Sequence, residues 1–580
     1  LFSKKNNDLI FFSLVFIYIF SISFNQFYTQ HWTSILDQDP VIIYNALLVS
    51  SGIEQEYRDH PAYTTIMILG GIFKFLSLFF DDFKIDKVMS SETIDDSFQI
   101  LFYIARVLNS LYIFLTAIFF YKVLKQLKIK KEICILSILI FIFFLATYEL
   151  LYLIRSEIVS VLFSVISLYY FIKSINENKI FYTILSGFFL CFAMLAKIQI
   201  VFFIFIFLIS IPNLLKYQEN KNVSLNLENY SYRLAFWLVI IFVLFFIFYQ
   251  TFIGVIFLNQ TQNETFFLTN NLDFYAFITF IIFFRIYGYY LNKKEIIKND
   301  ILIKMISLII VGFISCIIFV FLLDFLKVIP IHKSIFLRVL NPLEFMNTYT
   351  IKSKTELVNI FVSIKEFFLI GLNDLSYDFN EFYEHKILGI KSRIFFRLIY
   401  LILSLSLIFI SVFLIKSKET QSLSLKLLIG MFIYFFIFNI RETHGYNIYI
   451  ILFFLILVAI TNNNFSTKIT RSFYLILFLV IMLENLSFSN IHKNAYKREP
   501  RVYDICKSYK LDKWKNSDEY FSNYIFSSPI KLVEGYQIGT WFADLLNILH
   551  VNGKFFFFRY CDQVQDFSSK KVNFYFKGRN

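Results

Sequence analysis

Charge is what this sequence has least of. Only 17% of its 580 residues are Asp, Glu, Lys or Arg, while 58% are hydrophobic and the mean hydropathy is +0.63. A soluble globule carries about a quarter charged and about half apolar residues, so a water-soluble fold is excluded and a polytopic membrane protein remains. Proline (7) and glycine (15) are nearly as scarce, beside 79 phenylalanines. This bias fits an AT-rich coding sequence as well as physical selection, so a Phe inside an apolar run says little about function. The five cysteines form no CxxC or Cys/His spacing, which excludes a zinc site read from sequence. Cys134, Cys191 and Cys316 lie in apolar runs and read as small buried hydrophobes. Cys506 and Cys561 lie in the polar C-terminal stretch, where they can pair only on a non-cytoplasmic side. No small-residue cleavage site follows the first apolar run, which is read as a retained span. Internal repeats and low-complexity linkers are absent.

What is present is a series of apolar runs long enough, or nearly so, to cross a bilayer as about twenty helical residues. They fall at 9–24, 98–121, 133–148, 157–173, 180–196, 199–215, 234–256, 272–290, 303–325, 394–415, 424–440, 446–461 and 472–488. The sequence therefore predicts an all-α polytopic membrane protein with about thirteen transmembrane helices. With the N-terminus in the cytoplasm, the internal loops collect Lys122, Lys125, Lys128, Lys130 and Lys131, then Lys173 and Lys179, and further basic clusters at each later internal loop. That is the distribution the positive-inside rule requires. The formal charge of +13 is accounted for by these loops, and no nucleic acid is expected as a partner.

The same orientation puts the loops 25–97, 257–271 and 326–393 outside, together with the segment 489–580. The run 62–80 is almost apolar enough to cross, but a crossing there would put the Lys122–Lys131 cluster outside. It is read as a helix at the interface or half inserted. Residues 1–488 form the membrane domain, and 489–580, with a strand-like stretch from Lys554 to Tyr560, a small extracytoplasmic α+β domain.

Ionisable residues are expensive near a membrane core unless they are used. On this topology many fall on the external face: Asp37, Asp39, Asp59 and His60 in the first loop, Glu149, Arg155 and Glu157 at the second, Lys197 at the third, and Arg441 and His444 at a late turn. Such a set points to an externally open cavity in which acids take a hydroxyl proton or a metal and bases hold a phosphate. Each residue also has a plainer reading. Asp37 or Asp39 caps a helix beginning at Pro40. His60-Pro61 makes a turn, Arg155 and Glu157 make an interfacial ion pair, and Lys197 snorkels to the headgroups. Only the shared sidedness raises the functional reading.

Order along the chain raises it further. Asp37-Gln38-Asp39, Tyr44 with Ala46, His60-Pro61-Ala62-Tyr63, Arg106 with Asn109, Arg155-Ser156-Glu157 and the segment from Gly187 to Lys197 resemble the GT-C superfamily of membrane glycosyltransferases. The nearest likeness is to the branch of protein O-mannosyltransferases and lipid A aminoarabinose transferases (families 39 and 83). The resemblance covers about residues 9–215. The chain departs from the pattern where Gln38 splits the acidic pair and where Ala62 and Tyr63 replace Pro and Leu of the family's His-Pro-Pro-Leu element.

The resemblance implies a GT-C fold and transfer of a sugar, with inversion, from a polyprenyl-phosphate-linked donor to an extracytoplasmic acceptor that is a glycolipid, a polysaccharide or a protein. It implies an Asp of the first loop as general base, Asp39 favoured and Asp37 open. Arg155, Lys197, Arg441 and His444 are then the donor-phosphate ligands, and Tyr44, His60 and Glu157 substrate contacts. Where the enzyme depends on a divalent cation, Mg or Mn, Asp39 and Glu157 are the expected ligands. The expected location is the plasma (inner) membrane of a bacterium, with the C-terminal domain periplasmic. Two other readings stay open: a surface-polysaccharide polymerase working from loop 326–393, and a lipid-linked sugar flippase or transporter, against which stands the absence of paired broken helices at mid-membrane.

Overall fold

The computed structural model describes residues 4–29, 39–53, 55, 62–84, 94–177, 179–197, 200, 299–330, 422–427, 447–463, 472, 475–479, 481, 482, 550, 551, 554 and 555. The expected spans 199–215, 234–256, 272–290 and 394–415, most of 424–440 and 472–488, loops 257–271 and 326–393, and Cys506 and Cys561 lie outside the described residues or touch them at only a few positions. The described part of the C-terminal segment is an antiparallel pair, β1 (His550–Val551) with β2 (Lys554–Phe555).

The described body is a helical bundle. In chain order its helices are α1 (Lys4–Thr29), α2 (Asp39–Ser50), α3 (Tyr63–Leu76), α4 (Ile94–Gln126), α5 (Lys131–Phe143), α6 (Leu145–Tyr152), α7 (Ser156–Glu177), α8 (Ile180–Ala196), α9 (Asn299–Phe325) and α10 (Asn447–Asn463). Three contain stretches long and apolar enough to cross a membrane: Gln99–Gln126, Ser156–Glu177 and Met305–Phe325. At 1.5 Å per residue each reaches about 30 Å, the thickness of a hydrocarbon core. The expected runs 98–121, 157–173, 180–196, 303–325 and 446–461 all coincide with helices, mostly longer than the apolar run itself because polar end residues continue the turn.

The run 133–148 does not form one helix. It divides at Phe144, whose ψ of 137° is extended, into α5 and the short α6. Neither Gly nor Pro stands at the break.

α7 lies at the centre, packed against α4 on one side and α8 on the other, and even its polar Ser156, Ser160, Ser164, Ser167 and Ser174 are buried. α8 and α9 approach backbone to backbone. A Cβ on Gly187 would collide with the Ile309 carbonyl, and one on Gly312 with the Ile184 carbonyl. Small residues that let helices meet this closely are the usual device where lipid removes the hydrophobic drive to associate.

α1 lies along α4 through Phe12 against Phe114 and Tyr121. Its start is fastened by Asp8, which accepts from Tyr121 Oη (3.0 Å) and pairs with Lys125 (3.1 Å) and Lys131. α4 ends with Lys128 in the left-handed region (φ 56°) and α9 with Lys327 (φ 53°), a position usually given to glycine. In a glycine-poor chain lysine fills it.

α2 and α3, too short to cross, pack against each other. Gly70 sits so close to Val49 and the Ala46 carbonyl that a Cβ would meet them at 2.8 and 3.1 Å. The first half of α3 is buried, with Thr64 Oγ1 donating to the Phe192 carbonyl at 2.8 Å, while Phe75, Leu78, Phe79 and Phe80 at its far end are exposed. The expected half-inserted helix at 62–80 thus has one end in the bundle and an apolar end outside it.

Candidate active site

Asp39 opens α2, but its carboxylate does not cap that helix. Oδ2 accepts the backbone N–H of Ile154, 115 residues away, at 2.9 Å. Asn109, on α4, donates from Nδ2 to the carbonyls of Leu150 (3.4 Å) and Leu153. These are among the carbonyls that the end of α6 leaves without a helical donor. The stretch from Leu150 to Ile154 is therefore clamped from two helices, and it delivers Arg155 and the first turn of α7 to the same place.

In that turn Glu157 is 2% exposed and receives Lys197, also 2% exposed, at 2.8 Å between Nζ and Oε1. Lys197 ends α8, its backbone N–H bonded to the Ala193 carbonyl. Arg155 lies within electrostatic reach of Glu157. Arg106, on α4, is among the largest fully buried side chains of the described residues. Its guanidinium stands 5.6 Å from the centre of the Phe102 ring and acts electrostatically on Asp39. Four elements thus bring two acids and three bases into one buried cluster.

Burial dominates the acidity of Asp39. Desolvation raises its pKa to about 7, Glu157 nearby adds to the rise, and the Ile154 N–H and Arg106 oppose it without cancelling it. Among the described residues Asp39 Oδ1 has no hydrogen-bond partner. A carboxylate anchored by one oxygen and open at the other, with a pKa near neutrality, is suited to take a proton.

No group of three or more His, Cys, Asp and Glu able to hold a metal gathers among the described residues. Asp39 and Glu157 do not fit the expected divalent site as they stand, because Lys197 occupies Glu157 and a cation would have to displace it.

Of the residues singled out from sequence, the structure brings Asp39, Arg155, Glu157 and Lys197 together. Tyr44 is buried farther along α2. Asp37, His60, Arg441 and His444 lie outside the described residues. Two contributors had no assigned role in the sequence reading. Arg106 was visible there only as half of Arg-x-x-Asn, although an arginine inside an apolar span is itself a signal. The Ile154 N–H is backbone chemistry that side-chain identity does not reveal.

The family model of dolichyl-phosphate-mannose-protein mannosyltransferases matches residues 58–259. That range includes Arg106, Asn109, Arg155, Glu157 and Lys197 and begins after Asp39. No curated protein and no solved structure matches the chain. With helices of membrane-crossing length, the match supports a multi-pass membrane glycosyltransferase.

Proposed function

We propose that this chain transfers a hexose or pentose, with inversion, from a polyprenyl-phosphate-linked donor to a hydroxyl of an extracytoplasmic glycolipid, polysaccharide or protein, and that Asp39 is the general base. The observation that carries this reading is the half-satisfied carboxylate of Asp39, with one oxygen on the Ile154 N–H and the other open, inside a cluster rich in buried cations.

In the reaction, Oδ1 of Asp39 takes the proton of the acceptor hydroxyl as its oxygen bonds to the anomeric carbon. The bond from that carbon to the phosphate oxygen breaks on the opposite face, and its electron pair stays on the phosphate. Arg106, Arg155 and Lys197 against Asp39 and Glu157 leave the described cluster with one net positive charge when all five are ionised. The phosphodiester of a monophosphate-linked donor carries one negative charge, so this balance favours a monophosphate over a diphosphate carrier. Fixed cations aimed at a developing phosphate charge stabilise the transition state more than the ground state. By their sequence positions, Arg441 and His444 join the phosphate side, and Tyr44 and His60 the sugar or acceptor. Because Asp39 and Glu157 do not fit a divalent ion, no step is routed through one.

The test is transfer by the purified protein in liposomes, using radiolabelled polyprenyl-phosphate sugars. Asp39→Asn is expected to lower the rate by about a hundred- to ten-thousand-fold, the usual contribution of a positioned base, with insertion and melting temperature retained. Wild-type rates in the Asp37→Asn, Asp39→Asn double variant would sink the assignment. Movement of donor across the bilayer without transfer would instead favour a flippase.

A further inference from the structure

At the opposite end of the bundle from Asp39, three lysines from different parts of the chain share one aromatic floor. Lys122 at the end of α4 stands 4.7 Å from the Phe119 ring centre and 5.9 Å from Tyr169. Lys173, near the end of α7, stands 5.7 Å from Tyr169 and 4.3 Å from Tyr182. Lys179, just before α8, stands 5.7 Å from Tyr182. Among the described residues the acid paired with this patch is Glu177, 3.6 Å from Lys173 and 3.2 Å from Lys179. Three ammonium groups against one carboxylate leave two positive charges on a small patch, with Lys179 62% exposed.

From this patch a column of stacked rings runs along α7 and α8. Tyr182 stacks on Tyr170 (5.9 Å), Tyr170 on Phe189 (5.6 Å, planes 7° apart), Phe189 on Phe163 (6.0 Å) and Phe163 on Phe192 (5.4 Å). All but Phe192 are partly exposed. Along α8, Tyr182 to Phe192 is a rise of about 15 Å, half of a hydrocarbon core of about 30 Å. The column therefore matches the depth of one leaflet.

We infer that the Lys122, Lys173 and Lys179 patch and the ring column below it form a binding site for one anionic phospholipid of the leaflet at the lysine end. The phosphate sits among the ammonium groups and an acyl chain lies along the rings. Charge complementarity selects the occupant, since a zwitterionic headgroup brings its own cation to a patch that already has an excess. The ring contacts hold the lysine heads in place, so less of their freedom is lost when the phosphate arrives. This site is separate from the proposed catalytic cluster and does not depend on it.

The test is lipid retention by the full-length protein, purified after equilibration with mixed vesicles of phosphatidylcholine and phosphatidylglycerol and examined by native mass spectrometry. The wild type is expected to retain phosphatidylglycerol in preference. Each lysine among 122, 173 and 179 changed to Gln is expected to weaken that preference about fivefold. A Lys128→Gln, Lys130→Gln double variant, which removes charge at the neighbouring turn, is expected to retain it. Equal losses in both sets, or no loss in Lys122→Gln, Lys173→Gln, Lys179→Gln, would overturn the site. If that triple variant does not insert, Lys179→Gln alone decides, because its exposed side chain leaves the fold intact.

Discussion

A buried carboxyl group with a pKa near 7 changes both activity and stability with pH, in opposite directions. Asp39 must be ionised to accept a proton, so transfer is expected to rise as pH passes through about 7 and to level off above it. Its folded-state pKa lies above the ordinary carboxyl value, so between that value and about 7 the native state binds more protons than the unfolded one, and stability falls as pH rises through this window. A transfer profile that is flat between pH 6 and 8, in membranes that remain folded, would remove Asp39 as the base. The Glu157 and Lys197 pair makes a different prediction. Removing one partner strands the other buried charge, a loss of about 3 to 5 kcal/mol. Lys197→Met is therefore expected to melt markedly lower, while the double variant Glu157→Gln, Lys197→Met regains much of the stability without regaining transfer. Asp39, Arg155, Glu157 and Lys197 were legible as members of a candidate site because isolated charges stand out in so apolar a chain. Their partnership was not, since it depends on where α6 ends and on a backbone N–H. The plainer reading of Lys197 as a snorkelling end does not match its 2% exposure and its ion pair with Glu157, whereas Arg155 and Glu157 do interact as an interfacial pair would.

Elements were legible wherever one apolar run makes one helix, and illegible where tertiary contacts interrupt a run. Residues 133–148 read as continuous because nothing at Phe144 disfavours helix. The break is accompanied by the clamp that Asn109 and Asp39 place on the segment after α6, an instance of packing overriding local propensity. Position 62 shows how a departure from the family pattern fits the backbone. Ala62 has φ 28°, which a proline ring held near −65° cannot adopt, so Ala62→Pro is expected to disrupt the start of α3. Ala62→Gly removes the strain of a side chain in the left-handed region and is expected to raise stability by about 1 kcal/mol. Thermal melting of the two variants in detergent checks both. At the α8–α9 crossing, Gly187→Leu or Gly312→Leu is expected to separate the helices, because in each case the obstruction is a backbone carbonyl that cannot move aside. Cys191 and Cys316 interact across this crossing, which gives a direct readout: oxidative cross-linking between them is expected in the wild type and lost in either leucine variant.

At the scale of the whole molecule, the polar groups sort by end. Lys122, Lys125, Lys131, Lys173 and Lys179 gather where α4 and α7 finish and α5 and α8 begin, while Asp39, Arg155, Glu157 and Lys197 gather where α6 and α8 finish and α7 begins. In the orientation proposed here these two ends face opposite compartments, with the lysine end assigned to the cytoplasm by the positive-inside rule. The α8–α9 contact bears on the same orientation. Gly187 meets Ile309, Cys191 meets Cys316 and Phe192 meets Phe319, so the contacts advance together along both helices, which run parallel and begin on the same side. The proposed topology sets three spans between them, at 199–215, 234–256 and 272–290, an odd number that would return the chain to the side on which α8 begins. Orientation can be measured in intact cells with a membrane-impermeant maleimide, after the native cysteines are replaced by Ala or Ser. A cysteine at position 81, in the turn after α3, is expected to label from outside. One at position 128, between α4 and α5, is expected to label only after the membrane is opened. Labelling of position 128 from outside would invert the protein, put Asp39 and its cations in the cytoplasm, and remove the basis for an extracytoplasmic acceptor.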